Sequence, residues 1–461
     1  MKKGLIFLLA VLFAVSMLFM GIGCKKEAAP AEEEVVEEAA PAEEEEVAPA
    51  EEEAIKIVYM AKWNEGEVMQ GIINDVLDQY MADHPNVTIE KIWGGREVNV
   101  ALMATISAGN PPDIYDEDPA LINHSIGKEG LALDLTPYIE NETAYGEEVK
   151  VIDLYAPGYF EAVRWKDGKI YALPTHQFVA VFWFNKTQFE ELGITKTPDT
   201  WSEFLDLCEE IKGKGVPPLV QDGGIDFYNS YYFTYLADRI EGARAFREAV
   251  FDKTGASFDK PGFLEAAEKV AEFYEKGYFV EGFEGYAWPA GQIDWAQGAG
   301  AMMFNHTYLP IEIADAIPDD FVFGAFPFPG VEGGKGDQYE LDQLSGASAI
   351  LESCEHPDIA FDILKRILTL EAQSRIINEA LTLPVRLGVP LPEQYVDLED
   401  IFAKQTGSFA GYAGGPGQIE PEWETVFYSL DDQLLFGKIS PEDFIKELKE
   451  HTISYWEGKE E

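Results

Sequence analysis

The sequence predicts an α/β protein of two lobes carried on a charged leash. Short apolar strand runs alternate with helices of 3.6-residue spacing in two successive βαβ units between Ile55 and Tyr115. Several strand runs end abruptly in polar or aromatic residues, and residues 55–461, 407 in all, exceed what one core usually serves. Consecutive βαβ units imply a parallel sheet, and in open sheets of that kind ligands bind at the carboxyl ends of the strands, where side chains converge.

The chain begins with Met1, Lys2 and Lys3, continues in an uncharged apolar run from Gly4 to Ile22, and reaches Gly23 and Cys24. A charged start and an apolar middle make an export signal, although the run approaches the length of a membrane span, so an anchor is the alternative. Gly23-Cys24 resembles the lipobox of bacterial lipoproteins, with Gly21 where a leucine is usual, and that resemblance implies a lipidated Cys24 at the mature start. The reading is a signal peptide over 1–23, then a lipidated cysteine and tether over 24–54. Glu27 to Ala54 is almost only Glu, Ala, Pro and Val, which cannot bury enough apolar surface to offset its ordering entropy. Fully extended at about 3.3–3.6 Å per residue, that stretch reaches at most roughly 90–100 Å.

The net charge is −50, from 34 Lys and Arg against 84 Asp and Glu. Residues 1–54 hold 4 lysines and 13 glutamates, which leaves 30 basic against 71 acidic residues from Ile55 onward, a charge of −41. Such a field repels phosphate backbones and argues against nucleic acid or anionic lipid as partners. Of the three cysteines, Cys208 shares an apolar helix face with Trp201, Phe204, Leu205 and Ile211, which predicts a buried free thiol rather than a bridge to Cys354. No Cys or His spacing resembles a zinc site, and no cofactor is implied.

In chain order, Ile55 to Met60 reads as a strand leading to Trp63, Asn64 and Glu65. The following helix places Val68, Ile72, Ile73, Val76, Leu77 and Tyr80 on one face and stops at His84-Pro85-Asn86. Val87 to Trp93 is a strand, a helix runs from about Glu97 to Ser107, and Asp113 to Tyr115 is a third strand ending in Asp116, Glu117 and Asp118. Leu173-Pro174 leads through Thr175, His176 and Gln177 into an apolar strand, Phe178 to Phe184. Thr200 and Glu203 form a capping box for a helix starting at Trp201. An aromatic cluster follows at Phe227, Tyr228, Tyr231, Tyr232, Phe233 and Tyr235. Ala301 to Phe304 predicts one buried parallel strand that hands over, through Asn305, His306, Thr307 and Tyr308, to a helix in the IEIADAI run after Pro310. Further strands are expected at Phe321 to Phe326 and Ala347 to Leu351, with a helix over Ile359 to Leu370, a glycine-rich loop over Gly411 to Gly417, and two closing helices.

Five stretches in order, Gly109-Asn110-Pro111-Pro112-Asp113-Ile114, Gly168 to Pro174 with Phe184-Asn185-Lys186, Thr197 to Trp201, Gly298 to Met302 and Ala380 to Pro384, resemble the extracellular solute-binding proteins of bacterial ABC importers. The resemblance is to the carbohydrate-binding branch that includes the maltose-binding protein, and it runs over nearly all of Ile55 to His451. It implies the type II periplasmic-binding-protein-like fold: an N-lobe over 55–179 and 327–368, a C-lobe over 180–326 and 369–461, and a ligand cleft between lobes joined by crossing segments. It implies a monomeric, extracytoplasmic binding protein rather than an enzyme, held to a bacterial membrane only by its lipid. Its work is to pass a sugar or oligosaccharide to a membrane permease.

Carried over residue by residue, Asp116, Glu117 and Asp118 look like hydroxyl contacts of the first lobe. Phe178 stands where an acidic contact is usual, leaving His176 or Gln177 to replace it. Tyr232, Tyr308 and Trp423 look like stacking aromatics, with Asn305-His306 in place of the usual Asn-Gly. Trp63, Trp288 and Arg386 complete the ligand-binding set. The chemistry agrees, because a pyranose needs flat rings for its C–H faces and carboxylates, amides or imidazoles for its hydroxyls. Three adjacent acids beside aromatics would also suit a cationic amine in the same fold. Paired carboxylates raise a secreted carbohydrate-active enzyme as a further alternative, but nothing in the sequence fixes a pair at the needed separation.

Overall fold

The computed structural model describes residues 53–410 and 420–459. The signal run 1–23, Cys24, all but the end of the 24–54 tether and the loop Gly411 to Gly417 lie outside the described residues. The fold is α/β in two lobes, one on each of two sheets. The first sheet carries β1 (Ile55–Ala61), β2 (Val87–Trp93), β3 (Ile114–Glu117), β4 (Leu173–Phe178), β8 (Glu340–Ile350), β9 (Leu383–Pro384) and β10 (Gly407–Ala410). Its strand order is β2-β1-β3-β8-β4-β9, with β10 beside the first half of β8. The second sheet is β6 (Met302–His306), β5 (Ala180–Asn185) and β7 (Phe323–Phe326), in that order.

The predicted βαβ units form as expected: β1 pairs in parallel with β2 and β3, and the intervening helices are α1 (Val68–Asp83) and α2 (Val98–Ser107). The helix α1 buries Ile72, Ile73, Val76, Leu77 and Tyr80 against Ile57 and Tyr59 of β1, and each such side chain, fully buried, contributes about 1.5–3 kcal/mol. The pairings β3–β8, β8–β4 and β4–β9 are antiparallel, whereas β10 lies parallel to β8. The sequence signals only the end of β8, Ala347 to Leu351, because its first half reads as polar: Asp342, Gln343 and Ser345 are buried by the neighbouring strands and helices, not by apolar pattern.

The apolar run Phe178 to Phe184 divides into β4 and β5, with Val179 alone between two strands of different sheets. Its amide donates to Thr307 Oγ1 at 3.3 Å and its carbonyl accepts from the Thr307 amide at 3.0 Å, so the crossing is clasped to the end of β6. Along β5 the side chains alternate between two cores. Ala180, Phe182 and Phe184 join the large aromatic core of the second lobe, whereas Val179, Val181 and Trp183 join another with Trp295, Met303, Leu383 and Tyr395.

Two expectations are corrected. β6 runs antiparallel to β5, not parallel, and it extends through Asn305 and His306, which are therefore strand residues rather than turn residues. The IEIADAI run gives only short turns at Leu309–Glu312 and Ala314–Ala316, since the chain must return to β7 within a few residues. Cys208 and Cys354 are free and buried in separate cores.

The remaining helices that position the site are α3 (Trp201–Gly213), α4 (Asp226–Glu241), α5 (Pro261–Glu275), α6 (Ala290–Ala296), α7 (Pro357–Ile367), α8 (Leu370–Glu379), α9 (Pro421–Leu435) and α10 (Pro441–Lys459). The capping box of α3 forms as read, with the Glu203 amide donating to Thr200 Oγ1 at 3.4 Å and the Thr200 amide donating to Glu203 Oε2 at 3.4 Å. Thr200→Ala should cost about 1 kcal/mol. Urea unfolding should show it as a lower midpoint at unchanged slope. An unchanged midpoint would mean the cap carries no stability.

Candidate functional site

The site lies where the two sheets meet, and a run of aromatic rings crosses it. Trp63, just past the end of β1, lies 5.6 Å from the His176 ring of β4. His176 lies 6.0 Å from Phe178, Phe178 lies 5.6 Å from Tyr308 past the end of β6, and Tyr308 stacks on His306 at 5.4 Å. Tyr228 of α4 follows at 6.4 Å from Tyr308. Strand alternation selects the members: His176 and Phe178 share one face of β4.

His176 is buried, and burial followed by the nearby Lys62 pushes its ring down to about 3, so it stays neutral, with Nδ1 3.1 Å from Thr175 Oγ1. Gly346 on β8 makes the room for it, since a Cβ there would sit 2.0 Å from His176 Cε1. The Trp63 indole N–H is buried with no protein partner, which leaves a donor for a ligand. Arg96 lies 5.4 Å from the Trp63 ring.

Of the acidic triplet expected to meet sugar hydroxyls, two members are enclosed. Asp116 and Glu117 are strand residues of β3, both buried. Asp116 Oδ2 accepts from Tyr59 OH at 2.9 Å and Ser348 Oγ at 3.3 Å. Lys62, unremarked in the sequence, pairs with Asp118 and lies 3.5 Å from Glu117, so one ammonium compensates much of the triplet. Only Asp118 of the three turns much of its side chain to solvent.

On the second lobe, Trp288 is half-exposed and donates its indole N–H to Glu312 Oε2 at 3.1 Å. Asn305 is buried and its Oδ1 accepts the His306 amide at 2.8 Å. His306 Nδ1 lies 2.8 Å from Tyr231 OH and its Nε2 lies 2.8 Å from Asp342 Oδ2, so the imidazole is a structural tie beneath Tyr308.

Four expected contacts fall elsewhere. Tyr232 is buried within the second-lobe core among Phe182, Phe273, Phe279 and Phe304. One turn earlier on α4, Tyr228 reaches Tyr308 instead; Tyr228 to Ile240 are all buried, polar residues included, so no solvent face of the helix marks which side meets the site. Trp423 of α9 is likewise core, stacked on Phe427 and donating to Thr452 Oγ1 at 3.1 Å. Gln177 points to the opposite face of β4, where it donates to the Pro384 carbonyl at 2.7 Å and accepts from Gln343 at 2.9 Å. Arg386 pairs with Glu147 at 2.7 Å and, with Gln177, lines a separate cavity of about 380 Å³.

The bacterial extracellular solute-binding protein family model matches residues 62–374. The chain is 24% identical over 402 residues to an uncharacterized ABC transporter extracellular-binding protein of Pyrococcus horikoshii, covering 86% of this chain and 87% of that one. It is 23% identical over 337 residues to the multiple sugar-binding protein of Streptococcus mutans, covering 70% and 73%. Among solved structures it is similar to the sugar-binding protein MalE of Xanthomonas citri, with a TM-score of 0.70 and 16% identity over 88% of this chain and 100% of that one. That likeness is one of fold.

Asp116 generates a prediction about pH. Burial raises its carboxyl to about 7, against the lowering effects of Lys62 and Tyr59. The folded form therefore keeps a proton between about pH 4 and 7 that the unfolded chain has lost, and stability falls as pH rises through that window. Asp116→Asn retains an acceptor for Tyr59 and removes the charge. The variant should be more stable than the parent by about 1–3 kcal/mol at pH 8, with the gap closing by pH 5. Denaturant titrations at the two pH values check this, and a gap independent of pH would overturn it.

Proposed function

We infer that this chain, which belongs to the bacterial extracellular solute-binding protein family, holds a carbohydrate at the meeting of its two lobes and delivers it to the membrane permease of an ABC importer. Family members are extracytoplasmic binding proteins, and a relative named for sugar binding aligns over most of the chain. The observation that carries the reading is the ring series from Trp63 to Tyr308 and Tyr228, which presents flat apolar faces across both lobes with hydroxyl, imidazole and indole groups at their edges. Within it we assign ligand contact to Trp63, Asp118, His176, Tyr228, Trp288 and Tyr308, with Asn305 and His306 behind them.

The lobes in this reading divide as 55–179 with 327–368 and 180–326 with 369–461. A ligand touching both lobes favours the closed arrangement by its differential affinity, and the permease takes the closed, loaded form. Cys24 carries the lipid, the 24–54 stretch is the tether, and the protein acts as a monomer. We assign it no catalytic step, since the Asp116 carboxylate is engaged by Tyr59 and Ser348 and Lys62 compensates its neighbours. A cationic amine is disfavoured at the first-lobe face, where Lys62 and Arg96 already stand over the Trp63 ring.

A thermal-shift screen across mono- and oligosaccharides tests the function: a ligand at about 100 times its dissociation constant should add about 2.7 kcal/mol. Tyr308→Ala should weaken the sugar found by about 1–3 kcal/mol, by analogy with base stacking on aromatic side chains. Small-angle scattering should show a smaller radius of gyration with ligand. If no carbohydrate raises the melting temperature, the reading fails; a Tyr308→Ala variant that binds like the parent would move the ligand away from these rings.

A further inference from the structure

We propose that the second lobe carries an end subsite, formed by the Trp288 indole face with Glu312, Gln292 and Asp222, which takes one neutral sugar unit of an oligosaccharide through its hydroxyl donors. The inference rests on the carbohydrate reading above.

The Trp288 ring is 51% exposed although its N–H is fixed on Glu312 Oε2 at 3.1 Å. A ring pinned at one edge and open on its surface is a stacking platform that loses little freedom when a ligand covers it. Gln292, on α6 and 0% exposed, donates Nε2 to the same Glu312 oxygen at 2.8 Å, and this leaves its Oε1 buried with no protein partner. Asp222, also 0% exposed, accepts the Gly291 amide on Oδ1 at 2.6 Å while Oδ2 has none. The close approach is built in, since a Cβ at position 291 would lie 2.8 Å from that Oδ1.

Two buried acceptors without donors, beside a fixed indole, are costly unless something supplies the donors. Carboxylates and an amide oxygen accept only, so the group that completes them is a hydroxyl-bearing unit entering under the indole. Burial holds both Asp222 and Glu312 above the usual carboxylate range, Asp222 at about 6, and each acid adds to the field at the other or at Tyr228. A further negative charge would raise that repulsion, which excludes uronic acids. The Tyr228 ring lies 6.4 Å from that of Tyr308 and in the field of Glu312, so the group adjoins the Tyr308 end of the ring series.

Isothermal titration of the purified protein with raffinose, maltotriose, cellotriose, xylotriose and trigalacturonate tests this, with Trp288→Ala and Asp222→Asn alongside and circular dichroism as the folding control. At least one neutral trisaccharide should bind, trigalacturonate should bind at least about thirtyfold more weakly, and each variant should weaken the neutral trisaccharide by about tenfold. Trp288 is half-exposed, so its variant stays informative if Asp222→Asn fails to fold. A neutral trisaccharide that binds both folded variants as it binds the parent, or trigalacturonate binding equally well, overturns the subsite and leaves the carbohydrate reading standing. Binding of none of the saccharides to the parent overturns both.

Discussion

The buried carboxylate of Asp342 ties the two lobes at their junction. It stands near the start of β8 in the first sheet, yet its partners belong to the second lobe: Oδ1 accepts from the Ala180 amide at 2.7 Å and from Tyr235 OH at 2.7 Å, and Oδ2 lies 2.8 Å from His306 Nε2. Burial alone would raise its carboxyl, but the His306 imidazole and the donated hydrogen bonds hold it below the usual range, so it remains ionised. A charge taken out of water persists only where its hydrogen-bond capacity is met. Removing one donor from such a set commonly costs about 3–5 kcal/mol. The start of β5, the middle of α4 and the end of β6 are thereby referred to one point on β8. Tyr308, two residues past His306, inherits that placement.

In the closure proposed above, the same junction is the turning point. Val179 is the single residue between β4 and β5, and its two hydrogen bonds go to Thr307, at the end of β6. Rotation at such a link changes a few backbone torsions and leaves both sheets intact. Phe178, directly before the link, and Tyr308, directly after Thr307, lie 5.6 Å apart.

What the sequence shows follows from which forces act locally. Amphipathic spacing gives α1 and α3 and the capping box at Thr200, because those depend on residues within a turn or two. The parallel start of the first sheet follows from short connections. The polar half of β8 is invisible, since Asp342, Gln343 and Ser345 are buried by partners that arrive from 160 or more residues earlier in the chain, such as Gln177 and Ala180. Trp63, His176, Trp288 and Tyr308 were legible as candidates because they follow or end strands or stand in loops. Tyr232 and Trp423 were misplaced because an aromatic side chain in a helix serves a core as readily as a cleft, and only packing separates the two uses. Lys62, Tyr228, Glu312 and Asp222 carry no motif; their importance lies in what stands beside them.

The alternation of β5 between two cores also bears on how this chain can change over evolutionary time. A strand packed on both faces has no neutral side, and a one-residue insertion or deletion within 179–185 would exchange the two sets, sending Trp183 toward Phe204 and Phe182 toward Trp295. Length variation is thus confined to places such as the exposed turn at 128–130. Relatives that drift far in sequence should keep the spacing from the Phe178 position to the Asn185 position.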